Sequence, residues 1–253
     1  MIEAVASSFA ILEELARSNG PRGVTELAKS TGIPKARVHR HLTTLCALNY
    51  VEQLEEASKY RASTRLFLLG QMSADNLPWL IATRTMLGLL RDKLGHSVVL
   101  SIVEDRNLRV LENYRGDAIV DISSKSGATL PPHASAQGKV LLAFSEHDLV
   151  GNLLEEPLHR FTEKTIVDGG TLRAEIDQVK HQGWAASDEE LEVDFRSVAA
   201  PIFGPGDTLM FTIGIIARAE NMSISAKAND VRAALSASAD LTKLLRSTIN
   251  KRH

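Results

Sequence analysis

Four groups of residues in this 253-residue chain combine types and spacings that could do chemistry. The first is the run Lys35-Ala36-Arg37-Val38-His39-Arg40-His41-Leu42-Thr43-Thr44-Leu45. Stepped at about 100° per residue, Val38, Leu42 and Leu45 point one way. Ala36, Arg40, Thr43 and Ala47 point the opposite way, flanked by Arg37, His39 and Thr44. The outward face is small, basic and hydroxylated, and no acid interrupts it. Such a face suits the major groove of duplex DNA. Ala36 permits close approach and can touch a thymine methyl, Arg40 can bond guanine O6 and N7 together, and Thr43 can reach either kind of base edge. Lys35, Arg37 and Thr44 suit phosphates, which position a protein without specifying a sequence.

The other three groups are weaker. Gly138-Lys139 suggests a phosphate loop, but His133 stands five residues before Gly138 where glycine is needed. Val140 follows the lysine where a magnesium-binding Ser or Thr belongs. Of the eight histidines only His39 and His41 lie close together, and their spacing puts them on different helix faces. His133, just before a helix, reads as structural. Asp188-Glu189-Glu190 offers carboxylates, yet Glu192 and Asp194 continue the run, which reads as a solvated acidic loop. Gly-x-Ser-x-Gly, His-Glu-x-x-His and Cys-x-x-Cys are all absent from the sequence. The single cysteine, Cys46, excludes an intramolecular disulfide framework and any multi-cysteine metal site. No catalytic constellation, cofactor or metal site is expected, and the chain is read as no enzyme.

The elements that must position these groups follow from periodicity and punctuation. Ala4 to Arg17 carries Val5, Phe9, Leu12 and Leu15 at helical spacing, with Ile11 beside them, and Asn19-Gly20-Pro21 stops it. A short helix over Thr25–Lys29 is closed by Gly32, and Pro34 opens the third helix at its first turn. Tyr50–Leu54 and Lys59–Ala62 read as a small hairpin. Helix, helix, tight turn, helix and hairpin within about sixty residues is the layout of a winged helix-turn-helix. His41 lies about 60° from the buried stripe and is expected to be half-buried.

Thr64 to Asn76 reads as a connecting helix with Leu66, Leu69 and Met72 on one side. Pro78 opens another through Leu80, Leu87, Leu90 and Leu94, ended by Gly95. Beyond it strands and helices alternate: strands at 98–103 and 108–114, a helix from Ser135 to Ala143, and a short helix opened by Ser145 with Asp148 in a capping box. A helix over Thr171–His181 follows, then strands at 198–203 and 208–217, joined by Gly204-Pro205-Gly206-Asp207. The chain ends in an amphipathic helix with Val231, Leu235, Leu241, Leu244 and Leu245 inward. Hairpin-like strand pairs point to an antiparallel sheet with flanking helices, an α+β class.

Composition sets the frame. At 44% hydrophobic and 24% charged residues, the chain is neither disordered nor membrane-embedded in type. Its longest apolar stretch, 209–217, is too short to span a bilayer. The N-terminal Met1-Ile-Glu-Ala-Val lacks the lysines of a signal peptide, so a cytoplasmic location is expected. The net charge of -2 hides an asymmetry. Residues 17–49 hold six Lys and Arg against Glu26 alone, whereas 146–195 hold thirteen acids against four cations. A basic segment beside an acidic one suggests a division of labour, the basic part facing a polyanion.

Three blocks carry a resemblance. They are Gly32-Ile-Pro-Lys-Ala-Arg-Val-His-Arg-His-Leu-Thr-Thr-Leu45, then His133-Ala-Ser-Ala-Gln-Gly-Lys139 with Val-Leu-Leu-Ala143, then Gly183-Trp-Ala-Ala-Ser-Asp-Glu-Glu190 followed by Phe195-Arg-Ser-Val-Ala-Ala-Pro-Ile202. In order and spacing they resemble the isocitrate-lyase-regulator (IclR) family of bacterial transcription factors over nearly the whole chain. The resemblance implies a winged helix-turn-helix DNA-binding domain at 1–62, a linker helix at 63–77 and a GAF-like effector-binding domain at 78–253. It implies a homodimer, or a dimer of dimers (a homotetramer), bound to a near-palindromic double-stranded DNA operator. It also implies a small-molecule effector such as an organic acid, and repression or activation of transcription. On this reading the segment 62–76 pairs across the dimer and carries orientation changes.

The family's ligand pocket maps onto Ser135, Ala136, Gln137 and Gly138 at a helix start, Ser187, Asp188 and Ser197, and Thr212 and Gly214 on one strand face. A helix N-terminus offers unpaired N–H groups to an anion. Ser187 stands where many relatives carry an acid, Ser197 where a cysteine is common, and Gly214 where some have serine, so a larger or more apolar ligand fits. Two rivals remain: an enzyme on the C-terminal domain, for which Asp188, Glu189 or His133 would be essential, and an architectural DNA-binding protein without an effector.

Overall fold

The first element, α1 (Glu3–Arg17), buries Ile11, Leu12 and Leu15 against α2 (Val24–Thr31) and α3 (Lys35–Ala47). The computed structural model describes residues 2–54, 58–104, 106–117, 126–225 and 227–249. The chain divides into two units, Met1–Leu77 and Pro78–His253. In the first, α2 ends at Gly32, whose φ of 69° lets the chain turn tightly before Pro34 caps α3. Two strands, β2 (Val51–Leu54) and β3 (Lys59–Ala62), pair antiparallel with Val51 opposite Ala62. Their connection, 55–57, lies outside the described residues. A two-residue strand, β1 (Arg22–Gly23), adds to β3, giving the order β1-β3-β2. It was not foreseen, because Asn19-Gly20-Pro21 signals only a helix stop. Val38, Leu42, Val51 and Tyr60 complete the core.

The expected inner stripe of α1 is corrected. Ser7 is buried with Ile11, Leu12 and Leu15, whereas Val5 and Phe9 are 51% and 60% exposed. The helix carries apolar residues on two faces, and packing against α3 takes only one. Helix α4 (Thr64–Asp75) is capped by the Ser63 hydroxyl, which accepts from Arg65 N at 3.2 Å. None of its residues is buried; Phe67, Leu68, Leu69 and Met72 all face outward, and Leu66 is half-buried.

The second unit begins with α5 (Pro78–Leu94) and is built on one antiparallel sheet. Its strands are β4 (Ser97–Glu104), β5 (Asn107–Tyr114), β6 (Ala185–Asp188), β7 (Phe195–Phe203) and β8 (Leu209–Arg218), in the order β5-β4-β8-β7-β6. Side-chain alternation divides the core in two. Val98, Leu100, Val198, Phe211, Ile213 and Ile215 face α5 and the terminal α9 (Asn229–Ile249). Val99, Val110 and Ala199 face α6 (Ala136–Phe144) and α8 (Gly169–Gln182). The α+β class and the helix-flanked antiparallel sheet are as the sequence predicts.

Three local expectations change. Strand β6 was not anticipated: Ala185 and Ser187 are buried and Ala186 and Asp188 half-buried, but small residues differ little in polarity and four are too few for a periodic signal. Ser145 closes α6 rather than opening a helix. Asp148 is itself the cap of α7 (Leu149–Leu153), accepting from Gly151 N at 2.9 Å. On α9, Val231, Leu241 and Leu245 are buried, Leu235 and Leu244 only partly, and the small Ala234, Ala237 and Ser238 lie inside.

Candidate functional site

Two sites take shape, one in each unit. On α3, Val38 and Leu42 are fully buried and Leu45 nearly so. That burial holds Lys35, Ala36, His39, Arg40, Thr43 and Thr44 outward, all exposed. The Thr43 hydroxyl donates to His39 O at 3.0 Å and the Thr44 hydroxyl to Arg40 O at 3.2 Å, which leaves their lone pairs outward as acceptors. Arg37 is half-buried, and its guanidinium is paired with Glu3 of α1 at 2.8 Å. So the cation expected to meet phosphate already has a partner in the free chain, though exposed pairs are weak. His41 is half-buried, as its angle predicts, and its Nδ1 lies 2.9 Å from the Ser8 hydroxyl. The sequence reading missed Lys59 and Arg61. Period-two alternation around the buried Tyr60 places both on the outer face of β3, where Glu52 holds Arg61 at 2.8 Å.

The second site is a cleft with about 480 Å³ of empty space, mouth included, at the N-terminus of α6. Ser135, Ala136 and Gln137 form one wall, Ser187, Arg196 and Ser197 another, and Gly214 and Ile216 the strand floor. Leu130, Leu191 and Phe195 supply apolar surface, and Glu192 sits at the rim of the same lining. The Ser135 hydroxyl caps α6, accepting from Gly138 N at 3.0 Å and donating to Pro131 O at 2.7 Å. Ser187 donates to Ala134 O at 2.8 Å. A helix start with free N–H groups and a positive dipole end favours an anion.

Three residues expected in this pocket do not line it. Gly138 is turned toward Pro131 and Pro132, where a Cβ would meet backbone atoms at 2.5–2.6 Å. Thr212 shares its strand face with Gly214, but it is fully buried beneath the Gln137 amide, which donates to its hydroxyl at 3.0 Å. Asp188 accepts from Arg196 Nε at 2.5 Å. That bond, more than any other influence, raises the guanidinium's affinity for its proton. Arg196 also donates to the carbonyls of Ala219 and Met222, at 2.9 and 3.1 Å. The apolar wall was missed. Ile216 at least was legible, because it continues the period-two face of Thr212 and Gly214.

The acidic run is not simply solvated. Glu190 is only 6% exposed and receives Lys139 Nζ at 2.7 Å. Lys139, 1% exposed, also donates to Glu175 at 3.1 Å and to Ala186 O at 3.0 Å. Burial pushes the Glu190 carboxyl above the usual carboxylate range, with Lys139 opposing. Its Oε2 has no partner among the described residues. Thr162 and Thr165 donate to the carbonyls of Glu189 and Glu190, and Lys164 pairs with Glu189. This clamp holds the turn that carries Leu191 and Glu192 into the cleft wall. His133 is buried: its Nε2 contacts His159 O at 2.8 Å, and its Nδ1 has no partner among the described residues. Among the described residues no cluster of three potential metal ligands occurs. Nor is any helix there long and apolar enough to cross a membrane.

An outward basic helix in a winged helix-turn-helix, joined in one chain to a sheet unit with a cleft at a helix N-terminus, defines a class: DNA-binding regulators with a second, cleft-bearing unit. Comparison with known proteins agrees. Residues 4–55 match the IclR helix-turn-helix domain, and residues 71–243 match the bacterial transcriptional regulator IclR C-terminal domain. The chain is 28% identical to the transcriptional repressor IclR of Escherichia coli (strain K12) over 205 residues, 80% of this chain and 75% of that one. It is 30% identical to the HTH-type transcriptional regulator KdgR of the same organism over 203 residues, 80% of this chain and 77% of that one. The crystal structure of an IclR transcriptional regulator from Alicyclobacillus acidocaldarius has the same fold, with a TM-score of 0.84 at 22% identity over 96% of this chain and 99% of that one. The chain belongs to the IclR family of bacterial transcriptional regulators, a family of DNA-binding proteins and not of enzymes.

Proposed function

We propose that this protein is an effector-responsive regulator that binds a near-palindromic operator as a homodimer, or as a dimer of dimers, in the cytoplasm. Residues 1–62 read DNA, 63–77 link, and 78–253 hold the effector. The observation that carries the reading is the outward face of α3, where Lys35, Ala36, His39, Arg40, Thr43 and Thr44 stand exposed with no acid among them. Arg40 and Thr43 meet base edges, and Lys35, Thr44 and a released Arg37 meet phosphates. Lys59 on β3 adds a further cation from the wing.

Two features support the rest. The side chains of Ile2 just before α1, of Val5 and Phe9 on α1, and of Phe67, Leu68, Leu69 and Met72 on α4 are exposed apolar surface, of the kind that self-association covers. The cleft walled by Ser135, Ala136, Gln137, Ser187, Ser197 and Gly214 offers a helix N-terminus to a small organic acid. An effector then regulates by preferring one arrangement of the dimer, since equal affinity for both would shift nothing.

The test is fluorescence anisotropy with the DNA upstream of the protein's own gene and a shuffled duplex, across a salt series. Arg40→Ala is expected to cost about 1–3 kcal/mol on the native duplex and to flatten the preference between duplexes. Lys35→Ala is expected to weaken both duplexes alike and to lower the salt slope by about 1. A steep salt slope with no preference between duplexes would overturn sequence reading by α3.

A further inference from the structure

Gln137 sits where the start of α6 meets the sheet. It lines the cleft, yet only 4% of its surface is exposed. Its Nε2 is committed to the sheet, lying 3.3 Å from Val99 O, 3.1 Å from Thr212 O, 3.1 Å from Ser101 Oγ and 3.0 Å from Thr212 Oγ1. The two hydroxyls could serve as donor or acceptor, but the two carbonyls can only accept. A flipped amide would set its oxygen against both carbonyls in a buried place, so the nitrogen must face the sheet. The orientation of Oε1 is thereby fixed on the other side, over Gly214. A Cβ at Gly214 would stand 2.8 Å from Gln137 Cδ and 2.9 Å from Oε1. Oε1 accepts no hydrogen bond among the described residues, and both Gln137 and the Gly214 it lies over line the cleft. The Gln137 wall of the cleft therefore presents one acceptor whose direction the protein cannot change.

We propose that Gln137 Oε1 is the specificity-determining acceptor of the effector cleft, and that the effector is a carboxylate bearing its own hydrogen-bond donor, a hydroxy or amino acid. The inference rests on the effector reading above. The carboxylate lies at the α6 N-terminus and the donor reaches Oε1. A plain carboxylate leaves Oε1 desolvated and unpaired, and a dicarboxylate sets a second anion against it. Both are rejected for the cost of an unmade buried hydrogen bond. Gly214 belongs to the same device, because only a residue without Cβ lets the amide lie flat over the strand.

Matched probes test this on the full chain by isothermal titration calorimetry. The pairs are 4-hydroxybenzoate with benzoate and lactate with propionate; 4-aminobenzoate is a second donor and terephthalate the dianion. The donor-bearing member of at least one pair is expected to bind about 10-fold tighter than its partner or more. 4-Aminobenzoate is expected to behave like 4-hydroxybenzoate, and terephthalate to bind no better than benzoate. Gly214→Ala displaces the amide without removing it, and is expected to shrink the affinity ratio between each donor-bearing acid and its partner. Acids that bind with equal affinity with and without the donor overturn the Gln137 assignment and leave the effector reading standing. A complete absence of binding across the panel, checked to the millimolar range, overturns both. A Gly214→Ala protein that keeps the full preference overturns the role of the amide's placement.

Discussion

Lys139 is the most deeply buried cation of the described residues, and its nearest partner, Glu190 at 2.7 Å, is almost as deeply buried. Breaking such a pair by removing one member leaves an uncompensated buried charge, at about 3–5 kcal/mol. Lys139→Met is therefore expected to lower unfolding free energy by that order in urea melts, and Lys139→Met/Glu190→Gln to recover much of it. The single variant also carries a pH signature. Burial already holds the Glu190 carboxyl above its ordinary 4.5, and loss of Lys139 removes an opposing influence. A carboxyl raised in the folded state is protonated there before it is protonated in the unfolded chain. The deficit should then be largest at neutral pH and shrink as pH falls through the raised value toward the ordinary one. A deficit independent of pH between 7 and about 5 would show that Glu190 is not the group left exposed to the penalty.

Among elements, α6 concentrates the constraints. Its first turn must lie directly on Pro131 and Pro132, so Gly138 has no room for a side chain. The obstructing atoms are backbone and cannot swing aside. Gly138→Ala is expected to destabilise the second unit by about 1–3 kcal/mol through overpacking, despite alanine's better helix propensity. It should also weaken binding of any acid at the α6 N-terminus, while the unit holding α3 keeps its DNA affinity per binding site. A neutral or stabilising Gly138→Ala would contradict the close approach. Elements also show how far the sequence could be read. The exposed and buried faces of α3 were legible because hydrophobic positions fall on one stripe and cations on the other. On α1 the apolar residues fall on two faces, so periodicity named a helix and grouped Leu12 and Leu15 correctly but put the exposed Val5 and Phe9 with them. Strand β6 was silent because four residues of mixed polarity carry no period.

For the whole molecule, the outward apolar side chains of α1 and α4 make self-association the expected state. Wild-type protein is expected at twice or four times its 27.6 kDa chain mass in light scattering. Phe67→Glu with Met72→Glu charges a helix on which no residue is buried, so the monomer's own core is untouched. The double variant is expected to run at lower mass, keep its helix content by circular dichroism, and lose cooperative operator binding. Unchanged mass in the double variant would exclude α4 from the subunit interface. Two recognition helices in a dimer address half-sites about 34–36 Å apart or multiples of it, and a lone winged helix cannot hold that spacing.

The amino-acid sequence alone determined the winged helix-turn-helix, the α3 face from Lys35 to Thr44, the helix start near Ser135 and the α+β class. Those features are local: period, cap and turn chemistry lie within one element and are decided by residues a few positions apart. The tertiary structure alone decided that Gln137 aims its amide nitrogen at Val99 and Thr212, 38 and 75 residues away in sequence. It also decided that Thr212 lies beneath that amide, that Arg37 meets Glu3, and that Glu190 leaves a solvated-looking acidic run to pair with Lys139. The reason is physical. A sequence pattern says which residues share a face, but burial and polar partnership depend on what distant element covers that face, and that is settled only when the sheet and its helices close on each other.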